Sequence, residues 1–176
     1  MNFKKIITLF LISISIFLSY NNILFANETR EERIARLYKD IPMDSRHINY
    51  LVNLSYNYNI DPDLVLSIIW CESNFNPLAK NKNSTASGYS QMIKSTALYC
   101  VKNIDSIKEY NHKIHAFDPY INLQLMVYYI DRCFYEANDN LDKALLMYRG
   151  CNDIAYFKKV KANMNRIKAN KIRGDL

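Results

Sequence analysis

Apolar residues recur along this chain at helical spacing, three or four positions apart, and seldom alternate as a strand would require. Ile34, Leu37 and Ile41 trace a stripe through the charged residues 28–40, which predicts a short amphipathic helix. Ile48, Leu51, Val52 and Ser55 trace a second stripe, and Leu64 with Ile68, widened by Val65 and Ile69, a third. Ile121, Leu125, Tyr128, Tyr129 and Arg132 follow a longer, tyrosine-rich one that reaches residue 137. An apolar segment at 141–148 and a basic one at 153–172 complete the set. The pattern predicts an all-α fold.

Breakers divide these stripes. Pro42 ends the first, and Asp44 or Ser45 can cap the second. Asp61-Pro62 and Asp118-Pro119 each pair a capping acid with a proline suited to the first helical position. Pro77 biases Asn76 away from helical angles, so the third helix should end near Ser73 and leave a polar loop at 74–87. Residues 91–103 read as helical, with Ser95 a cap after a break at Lys94. Residues 106–116 read as irregular, and Gly150 stops the segment before it. Only 3 glycines and 4 prolines occur in 176 residues, which argues against a sandwich or barrel.

Composition adds a compartment. Lys4 and Lys5 precede an apolar run at 6–18, and Leu24-Phe25-Ala26 offers a small-residue cleavage site. Residues 1–26 therefore read as a secretory signal peptide. The alternative is a retained membrane anchor, for which the run is short. Residues 27–60 are then helices leading into one domain at 61–176. The net charge of +6 falls to about +4 without Lys4 and Lys5, a mildly basic balance that suits an anionic polymer such as a cell wall. Four cysteines remain: Cys71, Cys100, Cys133 and Cys151. In an exported protein they suggest two disulfides, with three possible connectivities. No C-x-x-C pair occurs, and His47, His112 and His115 are not spaced as zinc ligands, so neither metal nor cofactor is expected. The basic tail reads as a solvated helix face. Export and sparse aromatic interleaving argue against nucleic acid as a partner.

The chemistry concentrates in residues 61–92. Leu64, Ile68 and Glu72 are four apart and share a helix face. A carboxylate thus ends the stripe that packs into the core. Partial desolvation raises a carboxyl pKa, and the negative end of the helix dipole acts in the same direction. A carboxylic acid that stays protonated near neutral pH can donate a proton to a leaving oxygen. Trp70 lies on a different face and reads as core.

Five ordered motifs accompany this glutamate: Glu72-Ser73-Asn74-Phe75-Asn76-Pro77-Leu78-Ala79, Gly88-Tyr89-Ser90-Gln91, Ser95-Thr96-Ala97, Phe117-Asp118-Pro119-Tyr120-Ile121-Asn122 and Met147-Tyr148-Arg149-Gly150. In order and spacing they resemble the soluble, goose-lysozyme-like lytic transglycosylases over residues 61–150. The resemblance implies a lysozyme-like helical fold with a glycan groove. It implies cleavage of the β-1,4 bond between N-acetylmuramic acid and N-acetylglucosamine. Glu72 would protonate the glycosidic oxygen and then take the C6 hydroxyl proton, closing a 1,6-anhydro ring. The substrate's acetamido group replaces the second carboxylate of ordinary glycosidases, and no second acid stands within the Glu72 motif. By position, Ser73 joins the substrate site. Gly88 would let the backbone approach a sugar, Gln91 would bond an acetamido or hydroxyl group, Tyr148 would steer the acid, and Tyr89 would line the groove.

Departures from the family pattern bear on substrate. The apolar pair of Gly-Leu-Met-Gln is Tyr89-Ser90 here, and the asparagine after the tyrosine is Arg149. That arginine would either lower the Glu72 pKa or hold a substrate carboxylate. Cys71 beside Glu72 and Cys151 beside Gly150 suggest one disulfide, leaving Cys100 with Cys133. The partner expected is the peptidoglycan strand, met by a monomer in the periplasm or cell envelope, with membrane contact only through an uncleaved leader. Small secreted members of the family open the wall for secretion or conjugation machines, which such a machine would make a second partner here. The rival readings are a hydrolytic muramidase on the same fold and a non-catalytic glycan-binding or assembly protein.

Overall fold

Aspartate–proline pairs start the two helices around which the chain is built. In the computed structural model, which describes residues 28–172, all regular structure among the described residues is helical. The leader expected at 1–26 lies outside the described residues. The chain divides into two compact units, Met1–Ala35 and Arg36–Leu176. In the first, Thr29 and Glu32 cap each other at the start of α1 (Arg30–Asp40). Glu32 N donates to Thr29 Oγ1 at 3.2 Å, and Thr29 N donates to Glu32 Oε2 at 2.8 Å, the reciprocal arrangement that satisfies two orphan amides.

In the second unit, Asp44 opens α2 (Ser45–Asn57), and its carboxylate accepts from Arg46 N at 2.8 Å. Ile48, Leu51, Val52 and Ser55 are its buried face, as their spacing requires. Asp61 caps α3 (Pro62–Ser73), with Pro62 in the first turn. Of the twelve residues of α3, only Cys71 and Glu72 escape full burial. A helix apolar on all sides must be surrounded, and α3 is the centre of the second unit. It packs most extensively against α8 (Ile154–Lys168) and also against α2. Asp118 caps α6 (Pro119–Glu136) through Tyr120 N and Ile121 N. That helix packs on α7 (Leu141–Arg149), on α2 and on α4 (Lys94–Val101). Gly150 ends α7 at φ +75, the left-handed conformation that a helix stop of this kind needs.

Some boundaries differ from expectation. Ser95 is not the cap of α4: the helix begins one residue earlier, and Lys94 N donates to Thr85 Oγ1 at 2.9 Å, so the preceding loop supplies the cap. Within 106–116 a single turn, α5 (His112–His115), forms under an Asn111 cap. No helix among the described residues is long and apolar enough to cross a membrane.

The expected disulfides are corrected. Cys71, Cys100, Cys133 and Cys151 are all free thiols. Cys71 Sγ accepts from Asn163 Nδ2 of α8 at 3.3 Å, while Cys151 stands exposed past the Gly150 turn. Cys100 is buried with Met92, Ala97, Ile104 and Leu125, and Cys133 with Ala137 and Ala144. Burial pushes these two thiols up to about 12 and about 11, so they act as small apolar groups.

At the first turn of α3 a charge is buried. The Asp63 side chain is 1% exposed and lies 3.3 Å from the Arg36 guanidinium, whose Nη1 also donates to Ile167 O at 3.2 Å. This arginine, the first residue of the second unit, bridges the start of α3 and the end of α8.

Candidate active site

A cleft of about 640 Å³ opens at the last turn of α3. The helix stops because Asn74 and Phe75 both take positive φ, +50 and +61, and Phe75 then folds back to pack on Trp70 at 5.9 Å. Glu72 is left on the last turn, half-buried, with its carboxyl on the cleft. Burial raises its pKa above the ordinary carboxylate value. The Tyr156 hydroxyl and the charges of Arg149 and Lys159 pull it partly back. The net direction is upward, towards the protonated form a general acid requires.

Two tyrosines face this carboxyl from helices far along the chain. Tyr148, on α7, donates from its hydroxyl to Ser90 O at 3.2 Å and packs on Tyr129 at 5.7 Å. Its pKa is held well above the usual value, chiefly by desolvation and next by the Glu72 charge. Tyr156, on the first turn of α8, is buried, and its hydroxyl acts on the Glu72 carboxyl without a fully formed hydrogen bond to any group. Arg149 lies over the Tyr156 ring at 5.0 Å.

Asp153 folds into the same cleft. One of its oxygens caps α8 by accepting from Tyr156 N at 2.9 Å, and the other lies 3.7 Å from Arg149 Nε. A second acid is therefore present in the cleft, with one oxygen committed to the helix cap and the other in a loose ion pair.

The opposite wall is the loop at 74–93. Gly88 N donates to Ala79 O at 2.8 Å, and Asn81 N to Ala86 O at 3.0 Å. Asn122, buried on α6, pins the loop from behind. Its Oδ1 accepts from Ser90 N at 2.9 Å, and its Nδ2 donates to Ser87 O at 3.2 Å and Ala116 O at 2.9 Å. Gly88 sits against this side chain at φ +74, where an added Cβ would come within 2.4 Å of Asn122 Nδ2 and 2.3 Å of Ala116 O. The glycine is thus demanded by the loop's packing on α6.

The remaining expected site residues divide. Glu72, Gln91, Tyr148 and Arg149 line the cleft together. Tyr89 does not: it is 1% exposed, with its hydroxyl 3.1 Å from His47 Nδ1. Ser73 is buried, and its hydroxyl donates back to Ile69 O at 3.1 Å, the local bond a helical serine makes when no other partner is offered. Gln91 faces the cleft at φ +47, yet both amide protons go to backbone, at Ala79 O and Gly88 O, each 3.0 Å. It braces the loop and leaves only its carbonyl oxygen for a ligand. Two residues of the basic tail that sequence reading left as a solvated face, Tyr156 and Lys159, line the cleft. Their signal was the buried face Tyr156, Val160, Asn163 and Ile167 of α8, spaced for a helix that packs along one side.

The family model described as Transglycosylase SLT domain matches residues 49–171. Among solved structures, the chain is similar to an inactive glutamate-to-glutamine variant of the lytic transglycosylase Slt from Pseudomonas aeruginosa, at 20% identity and a TM-score of 0.55. The likeness covers 75% of this chain and 19% of that one, so the match spans about a fifth of that structure's length. At this identity it concerns the lysozyme-like helical fold.

Proposed function

The chain belongs to the transglycosylase SLT domain family, and from that premise we propose that it is a peptidoglycan lytic transglycosylase with Glu72 as its catalytic acid and base. One observation carries the reading: a carboxyl with a raised pKa, on a cleft, faced by two tyrosine hydroxyls from separate helices. Protonated Glu72 would donate to the glycosidic oxygen between N-acetylmuramic acid and N-acetylglucosamine. The acetamido oxygen of the muramic residue would stabilise the positive charge left at C1. Glu72, now a carboxylate, would take the proton of the C6 hydroxyl, whose oxygen closes on C1 to give the 1,6-anhydro end. Tyr148 and Tyr156 would orient the carboxyl through both steps. The inactive state of the glutamate-to-glutamine Slt variant supports a glutamate as the essential group in that protein, and by analogy here.

The test is digestion of purified peptidoglycan by the wild type and by Glu72→Gln, with the products read by mass spectrometry. Anhydro ends from the wild type and none from the variant are expected. Cleavage surviving in Glu72→Gln would remove the assignment. Asp153 favours a second reading, a hydrolytic muramidase, because it supplies the acid that such a mechanism would use to activate water. Reducing ends abolished by Asp153→Asn would establish it. One oxygen of Asp153 is committed to the start of α8, accepting from Tyr156 N at 2.9 Å, which is why the first reading is preferred.

The biological setting follows from the same premise. Residues 1–26 would direct export, the catalytic domain would span 61–176, and a monomer would act on the wall of the cell envelope, locally, for a secretion or conjugation apparatus. Cell fractionation with N-terminal sequencing tests the export step. A cytoplasmic, unprocessed chain would refute it.

A further inference from the structure

Two acidic and two basic side chains line the cleft: Glu72 and Asp153, Arg149 and Lys159. With Glu72 protonated, two cations face one acid. That acid caps α8 with one oxygen and reaches Arg149 only through Nε at 3.7 Å, beyond a hydrogen bond. The Arg149 guanidinium lies over the Tyr156 ring at 5.0 Å, and its side chain is 42% exposed. Lys159 lies three residues beyond Tyr156 on α8, exposed, and has no ion pair among the described residues. Both cations line the cleft with Glu72. A planar guanidinium with a nearby ammonium is an arrangement that recognises a carboxylate.

Resting on the reading of the site as a glycan cleft, we propose that Arg149 and Lys159 form a carboxylate clamp beside Glu72, selecting wall strands that carry a free carboxylate next to the scissile bond over uncharged strands. The carboxylate has two chemical sources, the lactyl ether of the muramic sugar and the peptide attached to it. Preference for such strands comes from the charge-assisted pairing of the substrate anion with the clamp. Without the clamp, the anion would meet Asp153, which repels it.

The experiment measures equilibrium binding of the full chain carrying Glu72→Gln, so that strands are held and not cut. Three soluble probes are used: peptide-bearing strands, the same strands with carboxylates converted to methylamides, and amidase-stripped strands with the lactyl carboxylate free. The parent should prefer peptide-bearing over amidated strands. Adding Arg149→Gln and Lys159→Gln should reduce that preference by about tenfold, the scale of one hydrogen bond to a charged group. Arg149→Lys with Lys159→Arg should retain most of it and guards against a folding artefact. Preference for stripped strands over their amidated form assigns the lactyl group, and its absence assigns the peptide. An equal preference with and without the clamp, or no preference in the parent, overturns the proposal. Activity of the wild type on unmodified wall separately tests the catalytic reading, so the two can fail independently.

Discussion

At the first turn of α3, Asp63 lies 1% exposed against Arg36. At the last turn, Glu72 opens on a cleft with only partial neutralisation by Arg149 and Lys159. The same helix holds both acids, and its dipole favours the ionised form at the first end and the protonated form at the second. Asp63 is enclosed because its charge is answered at close range. Glu72 is left incompletely answered, and that is what gives it chemistry. A carboxylate serves architecture where its partner is a buried guanidinium, and serves catalysis where burial outweighs its neighbours.

Four measurements test this contrast. The largest effect is expected from Glu72→Gln, which should lower wall cleavage by about 100- to 10,000-fold, the span of general acid–base catalysis, without unfolding the chain by circular dichroism. Arg36→Met should be the reverse case. Removing the guanidinium beside buried Asp63 should cost ~3–5 kcal/mol in urea unfolding, with cleavage per folded molecule unchanged. A loss below about 1 kcal/mol, the scale of an exposed pair, would mean that the Asp63 end is not architectural. Tyr156→Phe should be smaller, about tenfold in kcat/KM, the scale of one hydrogen bond to a charged group. Its hydroxyl lowers the Glu72 pKa. Removing it raises that pKa further, so the basic limb of the pH–rate profile should move to higher pH. An unmoved limb would mean that Tyr156 only fills space.

The smallest effect is in stability against pH. The folded pKa of Glu72 lies above its unfolded value, near 4.5. Its contribution is complete below that value and is lost as pH rises through the folded pKa. Glu72→Gln has no such dependence, so the variant should gain on the wild type in melting temperature as pH rises from 4 towards neutrality, to be read by calorimetry at about 0.1 M salt. A constant difference would mean that Glu72 is not strained by burial.

The sequence made the helical skeleton legible because its signals are local. Asp61-Pro62 and Asp118-Pro119 start helices by chemistry within three residues, and Ile48, Leu51, Val52 and Ser55 declare a face by spacing alone. Glu72 was legible for the same reason, as the end of a stripe. Tyr89 was not, since a tyrosine in a loop has no period to say which way it turns, and only the His47 bond fixes it inward. Tyr156 and Lys159 were hidden by the charge around them. Helical spacing shows that a basic helix has an apolar side, but not that the first turn of that side meets a carboxyl more than eighty positions earlier. The disulfide expectation failed at the same boundary: an even cysteine count describes a compartment, whereas pairing depends on where α3, α4 and α6 place each sulfur.

The loop at 74–93 contains no helix and no strand ladder, and such a segment would ordinarily be among the first to exchange its amide protons. Here Ser90 N is bound by buried Asn122, while Gly88 N and Asn81 N close on carbonyls of the loop itself. Hydrogen exchange should therefore find the amides of Asn81, Gly88 and Ser90 protected like those of α6, and Asn122→Ala should release Ser90 first. The glycan would meet a wall whose conformational entropy was surrendered when the chain folded, leaving little ordering to be done on binding.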